Sequence, residues 1–189
     1  MKGTLYGTTE FGGKHNRGTI FSITTAGVEK VLHSFGKRSD GSQPLAQLVH
    51  VGSTLYGTTS SGGAYTCGRY RCGTVFSITT GGMEKVLHSF NGTDGQGPAA
   101  GLLDVSGTPY GTTSKGGAYT CAAATCGTVF RITTRGAEKV LHSFAGSSDG
   151  ALPLAGPIKA NGALYGTTSL GGGSGCSGNG CGTVFSMSP

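Results

Sequence analysis

Cysteine is the residue type whose spacing in this sequence indicates chemistry most clearly. The six cysteines form three pairs, each with four residues between its members. The pairs are Cys67 with Cys72, Cys121 with Cys126, and Cys176 with Cys181. If each pair lies near the mouth of a β-hairpin, the spacing predicts three disulfides and an oxidising, extracellular or cell-surface location. A four-cysteine zinc site is the alternative, but three pairs do not divide evenly into such sites, so we favour disulfides and expect no metal.

Histidine and aspartate also recur at equivalent positions. The histidines are His33, His88 and His142, and the aspartates, each followed by glycine, are Asp40, Asp94 and Asp149. The strand that carries the histidines is expected to be outermost, where equivalent positions diverge, so we favour a structural hydrogen bond over a shared metal ion. For the aspartates a turn is favoured over calcium coordination, because Asp-Gly forms turns readily and no second carboxylate accompanies it. No cofactor is expected.

Acid–base catalysis has few candidates among the eight acidic residues. Glu29, Glu84 and Glu138 are repeated positions, which leaves Glu10 and Asp104 as the unrepeated carboxylates, with His50 as a possible base. No serine stands out as a nucleophile. A propeller-type hydrolase or lyase that acts on a polysaccharide or an ester is therefore the alternative function, and its catalytic residues stay unassigned.

A binding or display function is favoured because sequence variation is concentrated in four loops. Their sequences are KHNR, AYTCGRYRC, AYTCAAATC and GSGCSGNGC. The second loop is the best suited to contact a ligand, and its candidate residues are Tyr65, Arg69, Tyr70 and Arg71. Tyrosine rings and guanidinium groups offer stacking and charged hydrogen bonds to a sugar or an acidic group. The expected ligand is a glycan or a protein, and a purely structural spacer is the third alternative.

Three short sequence motifs, which we call phrases, recur along the chain and form the framework that positions these residues. The first is LYGTT at 5–9, 55–59 and 164–168, with PYGTT at 109–113. The second begins at Gly18, Gly73, Gly127 and Gly182 and reads GTVF or GTIF, and these glycines are spaced by 55, 54 and 55 residues. The third is EKVLHSF, at 29–35, 84–90 and 138–144. A period near fifty predicts a propeller blade or a similar β unit.

Each unit is predicted to have four short strands joined by glycine and Asp-Gly turns, because β-branched and aromatic residues dominate the phrases. We predict an all-β, β-propeller-like array of about four four-stranded repeats, incomplete at both ends, with 14 strands in total. It forms one domain over 1–189, with units at about 1–44, 45–97, 98–151 and 152–189. LYGTT is interpreted as a packing unit, in which glycine permits close approach and tyrosine packs between blades.

The order of these phrases resembles the bacterial tandem-repeat family called GloVer, and the resemblance covers almost the entire chain. The strand order is also similar, more distantly, to NHL-type propeller repeats, which implies an inner-to-outer order beginning at the AGLLDV segment. The GloVer resemblance implies export and a propeller-like fold. It implies no defined reaction and no catalytic residues.

Charge and hydropathy limit the possible partners. The net charge is +6, but the lysines and arginines are scattered, so we expect no nucleic acid partner. No stretch approaches the ~20 apolar residues of a membrane span. The N-terminus has no apolar signal region, so an export signal is expected outside this chain, which raises the question of whether it is a fragment. The incomplete ends predict either closure within one chain or a homodimer that closes a larger ring.

Overall fold

The computed structural model describes residues 3–36, 39–121, 126–173, 175–176 and 178–189. The tip of the third variable loop, 122–125, and Ser174 and Ser177 of the fourth lie outside these ranges. Within them, regular structure is antiparallel β apart from a 3-10 turn at Ser147–Asp149. The predicted all-β class is confirmed. None of the described helical structure is long and apolar enough to cross a membrane.

Four antiparallel sheets contain 14 of the described strands, and we call these sheets repeats 1 to 4 in chain order. Repeat 1 contains β1 (Thr4–Thr9), β2 (Thr19–Thr24) and β3 (Glu29–Ser34). Repeat 2 contains β4 (Val49–Val51), β5 (Thr54–Thr59), β8 (Thr74–Thr79) and β9 (Glu84–Ser89). Between β5 and β8, the strands β6 (Thr66–Cys67) and β7 (Tyr70–Arg71) form a separate two-stranded hairpin that the sequence did not predict.

Repeats 3 and 4 continue the same pattern. Repeat 3 contains β10 (Leu103–Val105), β11 (Thr108–Thr113), β12 (Thr128–Ile132) and β13 (Glu138–Ser143). Repeat 4 contains β14 (Ile158–Ala160), β15 (Ala163–Thr167) and β16 (Val184–Met187). In every sheet the strands are neighbours in chain order, and the EKVLHS strand lies at one edge wherever it is present. The arrangement of three, four, four and three strands agrees with the count made from the sequence.

Consecutive repeats are joined by pairs of phenylalanines. The last residue of each EKVLHSF phrase packs edge-to-face on the phenylalanine of the next GTVF phrase, which lies in the following repeat. The ring centroids are 5.4 Å apart for Phe35–Phe76, 5.1 Å for Phe90–Phe130 and 5.2 Å for Phe144–Phe185. The hydrophobic core is therefore distributed over the contacts between consecutive sheets, which we call joints. Each sheet depends on its neighbours for burial.

The LYGTT phrase carries three separate packing functions. Its glycine lies under the phenylalanine of the neighbouring strand in the same repeat, so that a Cβ at Gly57 would be 2.5 Å from Phe76 Cζ. Its first threonine reaches the next repeat, as where Thr58 Oγ1 donates to the Ala100 carbonyl oxygen at 3.2 Å. Its second threonine shares a 2.8 Å hydrogen bond with the threonine of the GTVF phrase, in all four repeats. These contacts support the structural interpretation of LYGTT.

The outer faces of repeats 1 and 4 leave apolar residues uncovered. Leu5 of repeat 1 is 66% exposed, whereas the equivalent Leu55, packed against repeat 1, is 3% exposed. Val184 of repeat 4 is 77% exposed, whereas the equivalent Val75 is fully buried against repeat 3. None of the described sheets closes into a barrel.

Candidate functional site

Each of the three predicted histidines is hydrogen-bonded to the aspartate of its own unit. The distance from the histidine Nε2 to the nearer carboxylate oxygen is 3.0 Å for His33–Asp40, His88–Asp94 and His142–Asp149. The aspartate also accepts the backbone N–H of Gly36, Asn91 or Ala145, and so closes the loop after the strand. Each histidine ring packs edge-on against the phenylalanine two residues later, with centroids 4.8–4.9 Å apart. Each histidine is thus held on two sides.

Two of these His–Asp pairs also meet a glutamate from the next repeat. Glu84 lies beside His33 and Asp40, and Glu138 lies beside His88 and Asp94. In each cluster, the imidazole nitrogen and the carboxylate oxygens lie within 4.8 Å of one another. The Oε1 atom of each glutamate is buried and has no hydrogen-bond partner among the described residues. The clusters bring together three groups that metal ions and protons both bind.

Burial dominates the electrostatics of both glutamates. The pKa of Glu84 is raised to about 7: desolvation by burial is the largest cause, the Asp40 carboxylate adds to the rise, and His33 opposes it. Desolvation likewise raises the pKa of Glu138 to about 7, with His88 lowering it and Asp94 raising it. Each cluster therefore places a second carboxyl group against an existing carboxylate in a partly desolvated setting, where its charged form is disfavoured.

A β-bulge in β9 explains how this one strand contributes Glu84 to the first cluster and His88 to the second. In a regular strand Glu84 and His88, four residues apart, would lie on the same face. In β9, Val75 is opposite His88 while Phe76 is opposite Val86, so Leu87 is an extra residue. One extra residue shifts the alternation and turns the two ends to opposite faces. Glu84 then faces repeat 1 and His88 faces repeat 3.

The chain also contains a glutamate at the repeated position without a His–Asp pair, and a His–Asp pair without a glutamate. Glu29 of repeat 1 has the equivalent sequence position but is exposed, and it is absent from the clusters found among the described residues. The pair His142–Asp149 has no glutamate beside it in the described part of the chain, and its side chains are 40% and 37% exposed. The pair keeps the same 3.0 Å distance. The His–Asp hydrogen bond therefore does not depend on the glutamate.

A cavity of about 450 Å³ opens onto the first cluster. Its lining includes the cluster itself together with His15, Ser34 and Val86. The His15 ring lies against Gly36, where a Cβ would overlap it. His15 belongs to the short first variable loop, KHNR. Its side chain is exposed and lines the same cavity as His33 and Glu84.

The predicted ligand-binding residues lie on and beside the β6–β7 hairpin. Tyr65 and Tyr70 are exposed, and Arg69 lies at the exposed hairpin turn. Arg71 is engaged with its own loop, because its Nη1 donates to the carbonyl oxygens of Gly63 at 2.6 Å and Ala64 at 3.1 Å. Arg71 thereby ties the end of the hairpin to the beginning of its loop, while Tyr65 and Tyr70 face solvent.

Two grooves flank this hairpin. One, which we call the Tyr70 groove, has a volume of about 250 Å³ and includes Tyr70, Arg71, Ser114 and Lys115 in its lining. The other, the Tyr119 groove, has a volume of about 340 Å³ and includes Thr66, Asn91, Thr93 and Tyr119. Gln96 lines both grooves. Each groove therefore combines an exposed aromatic ring with several hydrogen-bonding side chains.

The three cysteine pairs form the predicted disulfides. The bonds are Cys67–Cys72, Cys121–Cys126 and Cys176–Cys181, with Cα atoms 5.2–5.4 Å apart. No cysteine is free, so the four-cysteine zinc site considered from the sequence is wrong. The disulfides are compatible with an extracellular protein. The first disulfide closes the loop that carries the β6–β7 hairpin between the two grooves.

The candidate acid–base residues do not form one site. Glu10 follows β1 in repeat 1, His50 lies in β4 of repeat 2 and Asp104 lies in β10 of repeat 3, and all three are exposed. The Asp104 carboxylate accepts the Gly107 backbone N–H at 2.9 Å and caps a turn. The clusters built on Glu84 and Glu138 were missed from the sequence. Their repetition four positions before each histidine is the available signal, but the repeat itself accounts for that spacing.

Comparisons with known proteins give a family match for the sequence and a solved structure of similar fold. The sequence model of the Gloeobacter/Verrucomicrobia repeat matches residues 1–185. No curated protein matches the chain. Among solved structures, one described as a luciferin-regenerating enzyme is similar in fold, with a TM-score of 0.58 at 14% sequence identity. The match covers 99% of this chain and 58% of that chain, so this chain spans little more than half the length of that enzyme.

Proposed function

Since the chain belongs to the Gloeobacter/Verrucomicrobia repeat family and has the fold of a β-propeller-type module, we propose that it is an exported or cell-surface module that binds carbohydrate. The observation that carries this proposal is the pair of grooves beside the β6–β7 hairpin, each with an exposed tyrosine among polar side chains. Export is supported by the three disulfides, which form and persist in oxidising surroundings.

A sugar suits these grooves better than an apolar ligand. A pyranose ring presents a C–H face that stacks on tyrosine and hydroxyl groups that hydrogen-bond to amides and hydroxyls. Asn91, Gln96 and Thr93 supply amide and hydroxyl groups in the Tyr119 groove. Lys115 adds a cation to the Tyr70 groove, which would favour an acidic sugar there. Both grooves are shallow, as expected for binding along a polysaccharide chain rather than enclosing a small molecule.

We expect Tyr70→Ala and Tyr119→Ala each to weaken carbohydrate binding at least tenfold, because each removes the stacking surface of one groove. The labelled protein would first be screened on a glycan microarray, and the best oligosaccharide would then be titrated by calorimetry. Met83→Ala is the matched control, since Met83 is a large exposed side chain in the β8–β9 turn and lines neither groove. An array without binding, or tyrosine variants that bind as tightly as Met83→Ala, would contradict the proposal.

The uncovered end faces support a second copy of the chain as a partner. Within the chain, the face that carries Leu55 packs on repeat 1, and the face that carries Val75 packs on repeat 3. The exposed Leu5 face of one copy could therefore pack on the exposed Val184 face of another. Such a head-to-tail contact would repeat the joint found within the chain.

We expect the native protein to have the molar mass of a dimer by light scattering under non-reducing conditions. Val184→Lys should return it to a monomer, because a charge would then be buried in the apolar contact. Lys159→Ala changes an exposed position in the same repeat and should leave the dimer intact. A wild-type monomer at tens of micromolar would refute this proposal and leave the carbohydrate proposal untouched.

A further inference from the structure

We propose that the clusters His33–Asp40–Glu84 and His88–Asp94–Glu138 are two divalent metal sites, each at a joint between consecutive repeats and each suited to Zn²⁺. This inference goes beyond carbohydrate binding and uses none of the groove residues. It departs from the sequence-based expectation of a structural hydrogen bond at the histidines and of no metal.

The donor set has the composition of a zinc site. Each cluster offers one imidazole nitrogen and two carboxylates, and zinc binds histidine nitrogen and carboxylate oxygen at about 2.0–2.2 Å. A tetrahedral ion at those bond lengths separates its ligand atoms by roughly 3.3 Å. The His–Asp atoms are already 3.0 Å apart, and all three ligand atoms lie within 4.8 Å, so small side-chain rotations would complete the site. Calcium suits the cluster less well because it prefers oxygen ligands alone.

The glutamates have a buried atom that the protein itself does not satisfy. The Oε1 atoms of Glu84 and Glu138 have no hydrogen-bond partner among the described residues. Buried polar atoms are generally paired, and an exception invites a missing water or ion as its explanation. A cation at this point would satisfy the orphan oxygen and neutralise the two carboxylates that face each other.

The third joint shows what the His–Asp pair and the contact between repeats keep without a glutamate. The pair His142–Asp149 keeps its hydrogen bond and its backbone cap without a glutamate. The joint between repeats 3 and 4 keeps its phenylalanine contact, Phe144–Phe185, without one as well. A glutamate is therefore not required for the pair or for the joint. What it adds in the first two joints is a third ligand for a cation.

The two sites differ in access and in their potential for a fourth ligand. Three protein ligands leave a position for water, the arrangement of open zinc sites. The cavity of about 450 Å³ gives an ion a route to the first site, and His15, which also lines the cavity, supplies a second imidazole. We therefore expect the site at Glu84 to bind Zn²⁺ more tightly than the site at Glu138.

The test is calorimetric titration of ZnCl₂ into the metal-stripped protein at pH 8, above the pKa of both glutamates. The wild type should bind two ions per chain. Glu84→Gln and Glu138→Gln should each bind one ion. In the double variant, any remaining zinc affinity should be more than about 100-fold weaker than that of the wild type, because the loss of a direct ligand exceeds the 10–100-fold effect of outer-shell changes. Glutamine keeps the shape of the side chain, and circular dichroism would verify that each variant folds.

Glu29→Gln is the matched control, because Glu29 has the same place in the repeat but lies outside both clusters. It should bind two ions, as should His50→Ala, which removes an exposed histidine that could adsorb zinc. Zn²⁺ should also raise the melting temperature of the wild type and leave that of the double variant unchanged. Absence of binding in the wild type, or binding that survives in the folded double variant, would overturn the proposal.

Discussion

Replacement of Phe90 by alanine is expected to lower the free energy of unfolding by about 3–5 kcal/mol, the range for large-to-small changes of buried aromatic residues. Phe90 is fully buried and lies in one cluster with Tyr56 and Val75 of its own repeat and with Leu102 and Phe130 of the next. Its loss opens a cavity at the joint between repeats 2 and 3, where neither sheet can collapse without shifting the other. Urea unfolding followed by circular dichroism measures the effect.

The control for this experiment is Tyr70→Ala. Tyr70 is also aromatic but is 72% exposed, so its truncation should change the stability by no more than about 0.5 kcal/mol. If Phe90→Ala were within 1 kcal/mol of the wild type, the joint would not carry the stability that its burial implies. A transition that splits into two steps would show instead that the joint couples two halves of the array, as nearest-neighbour stacking in repeat proteins allows.

Most of the fold is readable from the sequence because its determinants are local. The phrases beginning at Thr54, Thr74 and Glu84 each contain the β-branched and aromatic residues of one strand, and glycine marks the turns between them. Because the unit is repeated, each strand assigned in one unit is also assigned at the equivalent positions of the others. The β6–β7 hairpin was missed because its strands are only two residues long and Arg71 binds carbonyl oxygens of its own loop. No period or alternation encodes that contact.

The metal clusters could not be predicted because they arise between repeats. Asp40 and Glu84 are 44 positions apart, and their approach depends on how one sheet stacks on the next. Regular alternation would also place Glu84 and His88 on the same face, and only the bulge at Leu87 separates them. The disulfides were predictable for the opposite reason. Five positions in one hairpin bring Cys67 to Cys72 whatever the neighbouring repeats do.

Replacement of Gly57 and Gly111 together by alanine is expected to destabilise the protein by about 2–6 kcal/mol. Each added Cβ would lie 2.5–2.6 Å from the Cζ atom of Phe76 or Phe130 and 2.8 Å from a leucine methyl group. Both phenylalanines are fully buried in the joints between repeats, so neither ring can move without disturbing the preceding sheet. Overpacking of this kind costs about 1–3 kcal/mol per site, and the two sites, in different repeats, should add.

Gly81→Ala separates this steric effect from the ordinary effect of alanine on a β-rich chain. Gly81 lies in the exposed β8–β9 turn, and the nearest atom to an added Cβ would be Thr79 Oγ1 at 3.7 Å. Its replacement should be neutral or slightly stabilising, because alanine restricts the unfolded chain. Thermal and urea unfolding of all three proteins distinguish the cases. If the double variant were as stable as Gly81→Ala, the glycine of LYGTT would be free to vary, and its fourfold repetition would need an explanation other than packing against phenylalanine.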